Sequence, residues 1–165
     1  MRDYLFRGKR KDNGEWVTGF YVHYDDTKDN HKDDCDYIVG IHTGEHFPFF
    51  EVIPETVGQY TGLTDKNGVK IFEGDVFKFN DEAWESYYTA CGTEYDSCEV
   101  KNYGVIGFDE DRSCFDFVQY KFNENSVEAD LHENHDIEFA DFISEFEIIG
   151  NIHDNPALLK GGEEE

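Results

Sequence analysis

Gln59-Tyr-Thr-Gly-Leu-Thr-Asp-Lys-Asn-Gly-Val-Lys-Ile-Phe-Glu-Gly-Asp-Val-Phe-Lys-Phe79 decides the fold. Asp65-Lys-Asn-Gly68 separates two runs rich in aromatic and β-branched residues, and Asn-Gly supplies the positive φ angles that a tight hairpin demands. Gly74-Asp75 then precedes Val76-Phe-Lys-Phe79. That order predicts a sharp bend into a strand, with Gly74 accepting a backbone that no Cβ tolerates. The stretch reads as a hairpin entering a barrel-type strand.

The same signals recur outward from it. Tyr4–Lys9 reads as a first strand, Asp12-Asn13-Gly14 as its turn and Glu15–Tyr24 as the return strand. Alternation puts Trp16, Thr18, Phe20 and Val22 on one face and Val17, Tyr21 and His23 on the other. Asp25–Asp36 is a polar loop, Tyr37–His42 and Phe47–Ile53 are short strands, and Pro54 ends the run. Asp81–Ala90 suits a short helix capped by Asn80 or Asp81. Val100–Phe108 and Ser113–Phe122 form a hairpin around Asp109-Glu110-Asp111. Ser126–His132 reads as a helical turn or two, and Phe142–Ile152 as the last strand, stopped by Asn155-Pro156. Gly161–Glu165 is an acidic tail.

Composition sets the bounds. With 165 residues, 15 Phe and 10 Tyr, the chain has material for one domain or two small subdomains built mostly of strands. The formal net charge is −24. It lacks the basic footprint that displaces counterions from phosphate, so direct nucleic-acid binding is excluded, and anionic membrane surfaces are disfavoured. A basic protein partner is permitted. The charge is unevenly spread: residues 1–11 hold five basic residues against Asp3, whereas Asp81 to Glu147 holds 19 acidic residues against Lys101, Arg112 and Lys121. Four cysteines without CxxC spacing, no apolar signal-peptide core and no apolar run of spanning length lead to the expectation of free thiols in a bacterial cytoplasm.

Four pieces of the chain carry a family resemblance. They are Phe6-Arg-Gly-Lys-Arg10 with Asn13-Gly-Glu-Trp-Val17, Pro54-Glu-Thr-Val-Gly-Gln-Tyr-Thr-Gly-Leu63, Asp65-Lys-Asn-Gly68 with Ile71-Phe-Glu-Gly-Asp-Val76, and Ile149-Gly-Asn-Ile-His-Asp-Asn-Pro156. Together, in this order, they resemble the YopX family of phage and prophage proteins. The resemblance implies an SH3-type small β-barrel and a phage or prophage origin, and no catalytic residues to carry over. The expected fold is therefore mainly β. Residues 1–55 form an N-terminal β-rich arm or subdomain, 56–159 form the barrel with an insertion at about 80–102, and 160–165 are the acidic tail. One or two short helices complete it.

Candidate chemistry is sparse. Gln59, Tyr60 and Asp75 are candidate ligand-binding residues at a barrel rim. The competing reading is that Asp75 braces the bend through backbone N–H groups, and that Gln59 and Tyr60 satisfy rim backbone. Trp84, Tyr87 and Tyr88 are candidate partner-binding residues, with Asp109, Glu110 and Asp111; Trp84 and Tyr88, at i and i+4, equally suit the buried face of a short helix. The seven histidines match no metal-site spacing, and the aspartate-rich loop lacks the glycine of a calcium loop. No phosphate loop or nucleophile elbow occurs, and the cysteines have mostly acidic neighbours. The expectation is a protein with no catalytic residues, metal or cofactor. It would be a non-enzymatic protein-binding module with an acidic recognition surface for a basic host protein. Its alternatives are an acidic DNA mimic, a small-ligand or enzyme site at the rim, and a homo-oligomer assembled through strand edges or through the N-terminal arm, whose basic Arg7–Lys11 segment would meet a neighbour's acidic face.

Overall fold

The computed structural model describes residues 4–24, 35–40, 47–89, 92–123, 126–131, 143 and 146–160, with backbone alone for 79–89, 92–102, 118–123, 126–131 and 160. The acidic loop at 25–34, His31, His42, His46, His132, His135, Cys91 and the tail at 161–165 lie outside the described residues.

In both Asn-Gly turns the glycine alone takes the positive φ, Gly14 at 74° and Gly68 at 80°, and Asn13 and Asn67 do not, so neither is the turn with two positive φ angles that the dipeptide favours. Strands β1 (Phe6–Lys9) and β2 (Trp16–Tyr24) pair antiparallel from Lys9↔Trp16 to Phe6↔Gly19, and Gly14 takes φ 74° in the turn between them. Strands β3 (Cys35–Gly40) and β4 (Phe49–Glu51) continue the sheet. Beyond β4 the chain returns to the end of β1, through an Arg10↔Val52 bridge and a 2.8 Å bond from Ile53 N to Lys9 O. A short 3₁₀ turn, Pro54–Thr56, leads to β5 (Gly58–Thr64) and β6 (Lys70–Phe72). The six strands run in the order β4-β3-β2-β1-β5-β6.

Gly74, at φ 79°, makes the expected bend. Its N–H donates to Ile106 O and its carbonyl accepts from Ile152 N, both at 2.9 Å. A second sheet begins there, built from β7 (Asp75–Thr89), β8 (Gly92–Asp109), β9 (Cys114–Asn123), β10 (Ser126–Leu131) and β11 (Glu147–Asn151) in the order β10-β9-β8-β7-β11. Its buried side chains include Val76, Phe77, Ile106 and Phe117, and Ile143, outside its strands, is also buried. The Phe77 ring meets Phe117 edge-on at 5.2 Å. Near the C-terminal end, Pro156–Lys160 forms a second 3₁₀ turn.

The fold is mainly β, in two antiparallel sheets, and among the described residues neither sheet closes into a barrel. Both helical expectations are corrected. Residues 81–89 continue β7, and Ser126–Leu131 pairs with β9. Ladder pairing with a neighbouring strand outweighs the local capping signal of Asn80 or Asp81. The sequence around 80–102 thereby becomes the outer length of the β7–β8 hairpin, paired in register from Val76↔Val105 to Thr89↔Gly92.

The chain divides into two compact units, Met1–Leu63 with Lys70–Glu73, and Thr64–Val69 with Gly74–Glu165. The first sheet takes strands from both sides of residue 55.

Candidate functional site

The rim candidates fall on different units. Tyr60, on β5, is buried with Leu5 and Phe72 in the first unit, its ring 5.5 Å from Phe72 and 4.6 Å from the Lys70 ammonium. Gln59 beside it is half-buried; its carbonyl accepts from Glu73 N at 2.9 Å. Asp75 opens β7 in the second unit, 2 % exposed and opposite Asn151. Neither unit holds all three.

The partner candidates lie on the second sheet. Trp84, Tyr87 and Tyr88 are in β7, in register with Ser97, Glu94 and Thr93. Asp109 ends β8, and its carboxylate accepts from the Arg112 backbone N at 3.0 Å and from Arg112 Nε at 2.7 Å. These contacts, backbone first, hold its carboxyl below the ordinary range. Arg112 also donates to Asp116. Asp109 therefore serves the turn, while Glu110 and Asp111 are exposed in it.

Other polar residues of the quoted motifs do structural work. Asp65 Oδ1 accepts from Asn67 N and Val69 N, each at 2.8 Å, and Oδ2 from Ile148 N at 3.3 Å. Burial raises its carboxyl, but the three backbone donors outweigh it, so Asp65 titrates below the usual aspartate value. Asn151 Oδ1 accepts from His153 N and Asp154 N at 3.0 and 2.9 Å, which tightens the turn after β11. These are Asx-type braces.

Sequence reasoning missed one cluster. Asp36, read as part of the polar loop, is buried on β3, opposite His23 of β2. The Tyr21 hydroxyl donates to its Oδ1 at 2.5 Å, and His23 Nδ1 lies 2.9 Å from the same oxygen. Burial, then the bond to Asp36, pushes the Tyr21 phenol up to about 12. The Tyr21 hydroxyl, with a smaller contribution from His23, holds the Asp36 carboxyl below its ordinary value against the effect of burial. The signal was present: Tyr21 and His23 are two apart on one strand face, and Asp36 begins the next apolar run. The cluster fixes the end of the β2–β3 hairpin and orients the imidazole through Nδ1.

Among the described residues, no three His, Cys, Asp or Glu side chains are grouped to hold a metal ion. Among the described residues, Cys35 and Cys114 form no disulfide. No helix among the described residues is long and apolar enough to cross a membrane.

No curated protein matches the sequence. Among solved structures, the chain is similar to the crystal structure of protein EF1440 from Enterococcus faecalis, at 20% identity and TM-score 0.46, over 96% of this chain and 99% of that one. The family model described as YopX protein matches residues 5–160, nearly the whole length over which the four sequence motifs are spread. The chain belongs to the YopX protein family.

Proposed function

We propose that this chain is a non-enzymatic protein-binding module whose acidic second unit recognises a basic protein. The observation that carries the reading is the division of charge. The second unit holds 25 acidic residues against 6 basic ones, a net of −19, and the first holds 13 against 8, a net of −5. A field of this sign and size draws basic partners and raises their association rate. Trp84, Tyr87 and Tyr88 pair with the start of β8 and belong to the proposed surface, Trp84 and Tyr88 on one face of β7 and Tyr87 on the other, whereas the exposed Glu110 and Asp111 follow the far end of β8 and form a separate acidic turn. The register adds support: Glu82 stands opposite Glu99, and Glu85 opposite Asp96. Like charges directly opposed destabilise a strand pair, and a cationic partner relieves them. An SH3-type barrel, implied by the family resemblance, belongs to this reading as the platform behind that surface.

The test is capture by the immobilised full chain from a bacterial lysate, eluted by a salt gradient and identified by mass spectrometry. The expected result is a specific basic protein, held at low salt and released at moderate salt. An eluate with no specific protein contradicts the proposal. Displacement of the captured protein by duplex DNA would identify the surface as a DNA mimic.

A further inference from the structure

The exposed aromatic residues of the first sheet are as unusual as the charge of the second unit. Phe20, Val22 and Tyr24 occupy alternate positions of β2 and are 52 %, 40 % and 57 % exposed. Register extends the set across three strands. Phe20 stands opposite Val39, which stands opposite Phe49, itself 66 % exposed. Val22 stands opposite Tyr37. Directly opposed residues share a face, so these six lie on one face, with Tyr37 and Val39 half-buried, and Cys35 and Glu51 stand on it opposite Tyr24 and Tyr37. The next residues along the strands, Tyr21 and Ile38, belong to the other face, where Ile38 is completely buried. That face is filled only along β3, since Tyr21 is 36 % exposed on β2.

Two magnitudes choose the occupant. At about 200 Å² per ring, the exposed parts of Phe20, Tyr24 and Phe49 sum to roughly 300–400 Å². That is the size of a functional patch, but it is well short of the ~800 Å² per partner of a stable interface. A second copy held by this face alone would be under-supported and would bring together two chains of net charge −24. A basic partner meets attraction instead. Charge sets encounter rate and register, whereas buried aromatic anchors supply most of the holding energy.

We infer that the open face of Phe20, Val22, Tyr24, Tyr37, Val39 and Phe49 is the apolar anchor site for a basic, amphipathic protein segment, one that presents apolar side chains between lysines or arginines. This rests on the proposed binding of a basic protein and adds where and how that protein is held. The net negative charge of the chain draws the partner, and apolar contact on the first sheet retains it.

The experiment uses the full chain and two labelled synthetic peptides of equal length, one alternating lysine with phenylalanine and one alternating lysine with serine. Fluorescence anisotropy gives both affinities. The lysine–phenylalanine peptide is expected to bind about tenfold more tightly, a difference of one modest hot spot. Phe20→Ser with Phe49→Ser should abolish that preference and leave the lysine–serine affinity unchanged. Tyr24→Ser is the second variant if the pair reduces the thermal midpoint. Equal affinity of both peptides for the unaltered chain overturns the anchor site and leaves the acidic reading intact. Failure of both peptides to bind overturns the acidic reading as well. A labelled oligothymidylate that binds and is lost on Phe20→Ser would make the face a stacking platform for single strands, and a dimer dissolved by Phe49→Ser would make it a self-association surface; either overturns the inference.

Discussion

Asp65 shows how one carboxylate can hold a hairpin. It accepts two backbone N–H groups at 2.8 Å, and its turn would otherwise leave them without protein partners. Asp65→Ala is expected to lower stability by about 1–3 kcal/mol in urea titration. Asp65→Asn keeps an acceptor oxygen and should cost less. The pH dependence separates charge from geometry. The folded Asp65 titrates below its unfolded value, so its contribution is complete above the unfolded pKa of about 3.9 and is lost as pH falls through the folded value. Stability of the unaltered chain should therefore fall more steeply below about pH 4 than that of Asp65→Asn. Tyr21→Phe removes a hydrogen bond to the buried Asp36 and is expected to cost about 1 kcal/mol by the same assay. Asp65 was legible as a turn residue because Asp-x-Asn-Gly is local chemistry. Asp36 was not, because the sequence does not say which residue a strand across the sheet will present.

At the scale of elements, the hairpins were legible and the long ribbon was not. Asn13-Gly14, Asn67-Gly68 and Gly74 act within a few residues, and each glycine takes a positive φ. Asp81–Ala90 carries a plausible helix cap, yet residues 81–89 extend β7, because fourteen successive pairs with β8 are available to it. No local rule registers a partner strand more than ten residues away. The register makes a prediction that a helix would not. Glu99→Lys sets opposite charges across from Glu82 and should raise stability by a few tenths to about 1 kcal/mol, read as a higher thermal midpoint at low salt. No change would contradict the register. Packing inside the second sheet is equally specific. A Cβ on Gly104 would lie 2.2 Å from the Phe77 ring, which is itself completely buried. Gly104→Ala is expected to cost about 1–3 kcal/mol by overpacking, and Phe77→Leu should recover part of it in the double variant.

Over the whole molecule, charge and most of its division were legible: residues 81–147 alone hold 19 acidic residues against three basic ones. The net of −24 is a count, and the −19 of the second unit follows from a division near residue 64, because the two exchanged segments, Thr64–Val69 and Lys70–Glu73, each carry one acidic and one basic residue. The open aromatic face was half legible: alternation marked Phe20 and Val22 as sharing a face, while their exposure depends on what packs against the other side. We propose that the negative charge of the chain attracts a basic protein and that an apolar face of the first sheet retains it. The most direct test is calorimetric titration of the lysine–phenylalanine peptide into the full chain at low salt and at roughly 0.5 M salt, where charges more than a few ångströms apart are screened. The account predicts clear binding at low salt and a large loss of affinity at high salt, with a remainder that Phe20→Ser with Phe49→Ser removes. Absence of binding at low salt would contradict it.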